Sequence, residues 1–174
     1  HLRSALTYFD EAIEIDPTHV RARLNRTSIH MANEEAQAAL DDANVLLELA
    51  PGLALAKLRK AEANMMLSNW EEAKDDLEQI VEDSPHHHHA LTQLASCFMA
   101  MDRPEKAEAP LNEALRLAPD HTEAWHQRGL LYLDWAQEES ALNDFEAAVR
   151  CDGNHLGARL RIAAIHHEAK RFPE

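Results

Sequence analysis

Residues 85–89 read Pro-His-His-His-His, and these four consecutive imidazoles are the side chains of the sequence that most directly suggest chemistry. Imidazole nitrogens bind zinc and related metals, and imidazole is the side chain whose charge changes close to neutral pH. Adjacent histidines at a helix start point in different directions, so the run cannot by itself provide a tetrahedral metal shell. Its role depends on which places of the surrounding helices the four residues occupy.

Catalytic motifs are absent from the sequence. It contains no Gly-rich phosphate loop, no H-E-x-x-H zinc motif and no G-x-S-x-G nucleophile turn. The segment 166–170 (HHEAK) lacks the second histidine that a zinc protease places one turn later. Cys97 falls on a helix stripe with Ala90, Ala95 and Phe98, where a thiol is expected to be buried and inert. We therefore expect no enzymatic activity, no cofactor and no metal site.

The charge balance and the apolar runs limit the partners and the compartment. The 174 residues include 31 acidic and 17 basic side chains, a net charge of −14, which repels a phosphate backbone. No apolar run of about 18 residues exists, and no signal peptide pattern opens the chain. We expect a soluble protein without nucleic-acid partner or membrane span. Two cysteines are too few for a disulfide framework and say little about the redox compartment. The location is unknown, with the cytoplasm slightly favoured over the periplasm.

The sequence repeats itself every 34 residues. Prolines recur at that interval at positions 17, 51, 85 and 119, and Gly153 continues the series. Two further columns contain alanine at every occurrence: Ala5, Ala39, Ala73, Ala107 and Ala141, and Ala22, Ala56, Ala90, Ala124 and Ala158. Only 4 glycines and long Ala/Leu/Glu-rich runs favour helices nearly throughout, and no β-sheet. A repeat of this length is typical of stacked helix pairs, because one pair cannot bury both of its faces alone.

The repeat resembles the tetratricopeptide repeat family, whose pattern is W-x2-L-G-x2-Y…A-x3-F…P. Its best copy is the fourth, with Trp125, Gly129 and Tyr132 on the first helix and Ala141 and Phe145 on the second. The resemblance covers the whole chain. It implies an all-α fold, a right-handed superhelical solenoid of antiparallel helix pairs.

The period also predicts where the helices and repeats begin and end. We expect helices at 3–15, 20–32, 36–49, 54–67, 70–83, 88–101, 104–117, 122–135, 138–151 and 156–169. The repeats are expected as a half repeat at 1–19, full repeats at 20–53, 54–87, 88–121 and 122–155, and a further first helix at 156–174. Because both ends fall inside a repeat, we expect a piece of a longer array.

Pro110 is in conflict with this periodic pattern. It falls about seven residues into the helix expected at 104–117. A proline inside a helix removes one hydrogen bond and clashes with the preceding turn, at a cost of ~3 kcal/mol. We therefore predict a kinked helix at this position.

Basic residues on the first helices are followed, sixteen positions later, by acidic residues on the second helices. The pairs are Arg26 and Asp42, Lys60 and Asp76, and Arg128 and Asp144. The third repeat lacks both members, with Leu94 and Pro110 at these places. Side chains that occur together and disappear together are typical of an ion pair between two helices. We predict three such pairs, whose positive charge is then unavailable to a ligand.

The resemblance implies that the first helix of each pair lines the concave face of the solenoid. Carried onto this sequence, the partner-binding stripe comprises Arg21, Leu24, Asn25, Ser28, Met31, Leu55, Leu58, Arg59, Glu62, Met65, Met66, His89, Gln93, Met99, Glu123, His126, Gln127 and Arg161. Within it, one place in every repeat carries a long or amide side chain able to bond a peptide backbone. This row is Asn25, Arg59, Gln93, Gln127 and Arg161.

A methionine row accompanies the polar row at Met31, Met65 and Met99. Flexible thioethers form adaptable apolar surfaces for peptides, although they also fill gaps between packed helices, and both interpretations stay open. Some members of the tetratricopeptide repeat family have a two-carboxylate clamp that binds chaperone C-termini. We do not expect such a clamp here. Only Asn25 followed by Arg59 fits its pattern.

We expect a non-catalytic interaction module that holds a peptide or helix of a partner protein in its concave groove and acts as a scaffold or adaptor. One alternative is the targeting or regulatory region of a larger enzyme or of a secretion or assembly protein. Another is a structural scaffold that forms homo-oligomers through its solenoid ends or helical faces.

The 34-residue frame assigns the histidine run to a turn. His87 shares its column with His19, His121 and His155, just before each first helix, where a polar side chain can bond the unpaired amides of the helix start. Only His89 falls on the concave stripe. We predict turn and capping histidines here, with a metal site and a pH-sensitive contact as alternatives.

Overall fold

The computed structural model describes residues 2–171, with side chains for residues 4–167. This part of the chain contains ten α-helices and one short 3₁₀ helix, and no strand. The α-helices are α1 (Leu2–Ile15), α2 (Val20–Ala32), α3 (Ala36–Leu49), α4 (Ala54–Met66), α5 (Trp70–Asp83), α6 (His88–Ala100), α7 (Glu108–Leu117), α8 (Thr122–Asp134), α9 (Glu138–Cys151) and α10 (Leu156–Arg171). All except α7 begin and end within two residues of the prediction.

The chain divides into two compact units, residues 1–83 and residues 84–174. In the first unit each helix from α1 to α5 packs against the next, and the first helices α2 and α4 also contact each other. In the second unit α6 to α10 pack in the same sequential manner, and α6 contacts α8. Within each unit, first helices therefore lie side by side, as stacked helix pairs require.

The two alanine columns lie in the cores of these units. Ala39, Ala73 and Ala141 are completely buried, and so are Ala56 and Ala124. A methyl side chain at these places lets neighbouring helices approach closely while still excluding water. The columns are therefore explained by helix packing, since a larger side chain would force the helix backbones apart.

A close contact between α8 and α9 explains the glycine at position 129. The ring of Phe145 is completely buried, and a Cβ added to Gly129 would lie 2.7 Å from Phe145 Cε1. The missing side chain thus makes room for the ring, which packs in a core with Ala141, Ala148 and Ala158. Gly129 and Phe145 both belong to the repeat pattern noted above, and this one packing contact explains both residues.

Each first helix from α2 to α8 ends in the same hydrogen-bonded motif. Glu34, Ser68, Asp102 and Ala136 adopt positive φ angles of 61°, 62°, 58° and 55°, again at intervals of 34 residues. The amide of the following residue bonds a carbonyl five positions back, as from Glu35 to His30. This is the Schellman arrangement, built without the glycine that usually accepts a left-handed backbone.

The expected helix at 104–117 is wrong in its first turn. Residues Pro104–Lys106 form a 3₁₀ helix, and the α-helix begins only at Glu108. Pro110 therefore lies in the first turn of α7 rather than in a helix interior. Its ring excludes an α-helical bond to the carbonyl four residues back, at Lys106. The chain shortens the helix instead of kinking it, because an amide in the first turn has no intrahelical partner to lose.

Candidate functional site

The three predicted ion pairs between first and second helices are confirmed. The shortest N–O distances are 2.6 Å for Arg26 and Asp42, 2.8 Å for Lys60 and Asp76, and 2.7 Å for Arg128 and Asp144. The carboxylates of Asp42 and Asp144 are almost completely buried. The charges at these places are therefore used to join the helices of one repeat.

Two of the cations reach further than predicted. Arg26 also bonds Asp10 on the preceding second helix, α1, at 2.7 Å. In the same way, Arg128 bonds Asn112 on the second helix that precedes it, α7, at 2.7 Å. Asp42 has a second cation, Arg23, at 2.9 Å. Hydrogen bonds from Arg26 to Asp42 raise the pKa of this guanidinium above its usual value. Each arginine thus bridges two repeats and stays charged.

The predicted stripe of the first unit is largely accessible on α2 and α4. Exposed members are Arg21, Asn25, Leu55 and Met66, and half-buried members are Leu24, Ser28, Met31, Arg59, Glu62 and Met65. Leu58 does not belong to the accessible stripe as predicted, because only 7% of it is exposed and it lies in the core. Nη1 of Arg59 lies 2.6 Å from Glu62 on the same helix, so its charge is partly neutralised. Arg21 forms no ion pair with the described residues and is the freest cation of this stripe.

The predicted stripe of the second unit is more enclosed. His89, Gln93, Met99, Glu123, His126 and Gln127 are half-buried, and only Arg161 is exposed. Gln127 donates to Glu123 Oε1 at 2.7 Å, one turn earlier on α8. The row of long or amide side chains thus continues into this unit. At Gln127, however, the side-chain amide is already hydrogen-bonded within its own helix.

A cavity of about 360 Å³ opens between α1 and α2 in the first unit. Its walls are Tyr8, Phe9, Ala12, His19, Arg21, Ala22 and Asn25. The stripe had included only Arg21 and Asn25 of these, because Tyr8 and Phe9 lie on a second helix. The cavity joins an aromatic wall to a cation and an amide.

The capping role predicted for the histidine column is confirmed at three of four positions. Nδ1 of His19, His87 and His155 accepts the amide three residues later, at 3.3, 3.2 and 3.0 Å. His121 makes no such bond. Instead its ring stacks on His88, with ring centroids 4.9 Å apart. Burial, reinforced by neighbouring imidazoles, lowers the pKa of both rings, so that they are neutral at pH 7.

A second polar cluster, which the sequence did not indicate, joins α8 to the start of α10. Glu123, His126 and His155 each offer a ligand atom within 4.8 Å of the others. Nδ1 of His126 lies 3.9 Å from the Glu123 carboxylate, and Nε2 of His155 lies 3.7 Å from it. The imidazole of His126 and the amide of Gln127 hold the pKa of Glu123 below its usual value. This carboxyl is therefore ionised at neutral pH.

Sequence comparison identifies the repeats. Three models described as "Tetratricopeptide repeat" match residues 1–54, 65–129 and 122–155, which together account for most of the chain. The chain belongs to the tetratricopeptide-repeat family. A comparison with curated protein sequences gave no significant match.

Solved tetratricopeptide-repeat structures share the fold. A thermophilic repeat protein of Thermus thermophilus superimposes with a TM-score of 0.80 at 22% identity, over 95% of this chain and 91% of that one. YrrB, described as having an unusual peptide-binding site, gives 0.67 at 22% identity, over 95% and 85%. The first repeat region of Spaghetti (RPAP3), bound to the HSP90 peptide SRMEEVD, gives 0.64 at 22% identity, over 67% and 93%.

These findings confirm the fold class, all-α helix pairs of a tetratricopeptide-repeat solenoid. The chain is thus a protein-interaction module of a kind that is generally non-catalytic. No helix within the described residues is long and apolar enough to cross a membrane.

Proposed function

We propose that the first unit binds an extended peptide of a partner protein across α2 and α4, with one apolar side chain in the cavity between α1 and α2. The observation that carries this proposal is the meeting of that cavity with the exposed polar stripe at Arg21 and Asn25. Peptide-binding relatives such as YrrB support it at the level of the fold.

The lining indicates the chemistry of the peptide. The rings of Tyr8 and Phe9 provide an apolar wall, and 70% of Tyr8 is exposed, so a ligand that covers it removes apolar surface from water. Arg21 is an exposed cation without an ion-pair partner among the described residues, and it lies at the same cavity. Asn25 offers both a donor and an acceptor to a peptide bond. We infer a segment in which an apolar residue lies close to an acidic one.

The α4 part of the stripe extends this surface. Leu55 and Met66 are 40% and 42% exposed on a helix that contacts α2. Arg59 lies between them in sequence and is half-buried. Its Nη1 bonds Glu62, and its Nε is buried without a hydrogen-bond partner in the described structure. A peptide that continues from α2 to α4 would meet apolar contacts there.

Selection from a displayed peptide library, followed by affinity measurements on the selected peptides, tests the proposal. We expect peptides that combine an apolar and an acidic residue, and a loss of affinity of about tenfold or more with Arg21→Glu or Asn25→Ala. The control is Arg150→Glu, which makes the same charge change at an exposed residue of α9. Helical circular dichroism and melting temperature verify the fold of each variant.

Two results would contradict the proposal. One is a selection that returns no binding peptide at micromolar protein concentration. The other is a set of peptides whose affinity is the same for Arg21→Glu and for Arg150→Glu, which would indicate binding elsewhere or through net charge alone.

Self-association is a second candidate, favoured by exposed apolar residues on the first and last described helices. Ile15 is 85% exposed on α1, and Leu156 and Leu160 are 67% and 60% exposed on α10. A second copy could cover these faces by end-to-end stacking. Sedimentation at increasing concentration measures it, and Leu156→Glu with Leu160→Glu should then lower the mass. A constant monomer mass would exclude this function.

A further inference from the structure

The cluster of Glu123, His126 and His155 is not explained by the packing of the repeat. His155 belongs to the capping column and keeps that role, with Nδ1 on the amide of Ala158. Glu123 and His126 lie one turn apart on α8, and their side chains converge on His155. The rings of His126 and His155 have centroids 4.8 Å apart. Three potential ligands thus come from two repeats.

Comparison within the chain shows that His126 is an exception. The same place is leucine in three of the four other copies, at Leu24, Leu58 and Leu160, and threonine in the remaining one, at Thr92. A leucine satisfies the packing requirement there, whereas an imidazole brings two nitrogens into a site where its side chain is only 15% exposed. Nδ1 of His126 is buried and has no hydrogen-bond partner in the described structure. Such an atom is costly unless it meets a ligand.

Gly157 provides the space for this imidazole. It occupies the place in the last repeat that Glu123 has in the preceding one. A Cβ at position 157 would lie 3.1 Å from Nε2 of His126 and 3.4 Å from Cε1 of His155. A histidine stands at a position that is mostly leucine, and the glycine beside it leaves room for that ring, so both residues serve the same cluster.

We propose that Glu123, His126 and His155 form a binding site for a divalent metal ion of the zinc class. Two imidazoles and one carboxylate are a common ligand set for Zn²⁺, and three protein ligands leave one tetrahedral position open. The carboxylate supplies negative charge against the cation, and the two imidazoles select a transition metal over Mg²⁺ or Ca²⁺. This site is independent of the peptide surface proposed for the first unit.

Metal binding changes the cap of α10. In the metal-free state Nδ1 of His155 accepts the Ala158 amide, so the proton of the neutral ring is on Nε2, which faces Glu123. Coordination through Nε2 requires the single ring proton to move from Nε2 to Nδ1 through the solvent, so that the ring stays neutral. An Nδ1–H cannot accept the amide, so the Ala158 bond breaks when the metal binds. The amide of Ala158 therefore reports occupancy of this particular site.

The chain contains its own rival site, the run at His86–His89, so the test must separate the two. Titration calorimetry with Zn²⁺ and absorption spectra with Co²⁺ are measured on a chain carrying no histidine tag. We expect one Zn²⁺ per chain with an affinity reduced at least about tenfold by Glu123→Gln or His126→Leu. The control, His86→Asn with His89→Asn, should leave that affinity unchanged.

The variant His126→Leu introduces the residue that the chain itself uses at three of the four corresponding places, so we expect it to fold. Glu123→Gln retains the hydrogen-bonding shape of the side chain and provides a second test. In the native chain, Zn²⁺ should shift the amide resonance of Ala158, and this shift should be lost in both variants.

Equal Zn²⁺ affinity in the native chain and His126→Leu would overturn the proposal. The same conclusion follows if binding is lost with His86→Asn and His89→Asn, which indicates an adventitious ion at the histidine run only. Absence of Zn²⁺ binding below millimolar concentration would also overturn it.

Discussion

Replacement of Arg128 by leucine tests whether the buried ion pairs stabilise each repeat. The third repeat has Leu94 at this place, so the substitution introduces a side chain that the fold accepts. Arg128 holds Asp144 through two bonds, at 2.7 and 2.9 Å. It also lies over the ring of Trp125, with the guanidinium carbon 4.9 Å from the ring centre.

The expected loss follows from what remains after the substitution. The side chain of Asp144 is 6% exposed and has no other ion-pair partner among the described residues. Removing one member of a buried pair leaves an uncompensated carboxylate and costs ~3 kcal/mol or more. The lost contact with Trp125 adds ~0.5 kcal/mol or more. We therefore expect Arg128→Leu to lower the free energy of unfolding by about 3.5 kcal/mol or more.

The same substitution in the first full repeat serves as the matched control. Arg26→Leu also removes a bidentate partner, but Asp42 keeps Arg23 at 2.9 Å. The carboxylate is then still paired, and the expected loss falls to about 1–2 kcal/mol. Combining Arg128→Leu with Asp144→Leu removes both charges, and should restore about 2 kcal/mol relative to the single variant, because apolar pairs often replace buried ion pairs without loss.

Urea unfolding, followed by circular dichroism and by tryptophan fluorescence, measures these differences. Trp125 and Trp135 lie in the second unit and Trp70 in the first, so the fluorescence reports on both units. Equal losses for Arg128→Leu and Arg26→Leu would refute the reasoning, because they would show that Arg23 does not compensate. A double variant no more stable than Arg128→Leu alone would refute the desolvation argument.

Three further predictions concern backbone and thiol positions. Gly129→Ala should lower the free energy of unfolding by ~1 kcal/mol or more, since its Cβ would lie 2.7 Å from the buried ring of Phe145; a more stable variant would exclude that contact. Ala136→Gly should raise the free energy of unfolding by ~0.5 kcal/mol, because φ is 55° at this residue and glycine accepts a left-handed backbone without strain. Thermal melting measures the difference, and a lower melting temperature for the variant would contradict the expectation. Burial raises the pKa of Cys97 to about 11, so only ~0.1% of this thiol is ionised at pH 8. Ellman's reagent should therefore modify the exposed Cys151 rapidly and Cys97 only after unfolding. Rapid modification of two thiols per chain would show that Cys97 is accessible.

The repeat, the helices and the ion pairs could be predicted from the sequence because each follows from local spacing. A period of 34 residues fixes the helix pair, and a helix turn of 3.6 residues fixes which side chains share a face. Arg26 and Asp42, sixteen residues apart, lie on the two helices of one pair. Their joint occurrence therefore revealed a contact without any structure. Turn histidines such as His87 were predicted in the same way.

Interactions that join different repeats depended on the tertiary structure. Arg128 and Asn112, and the cluster of His126 with His155, meet only because successive helix pairs stack. Leu58 shows the same limit, since a helix stripe does not tell which of its edges the neighbouring helix covers. The left-handed residue at Ala136 had no sequence signal either, because glycine is absent from that column.

The sequence by itself determined that the histidine run at 86–89 is a turn followed by the start of a helix, since its place in the period was sufficient. Only the tertiary structure brought together the polar cluster at Glu123, from which we infer a metal site. The physical reason is that a cap acts on its own helix, within three residues, whereas metal ligands must converge from separate elements. Local spacing specifies the former, and stacking of one repeat on the next decides the latter.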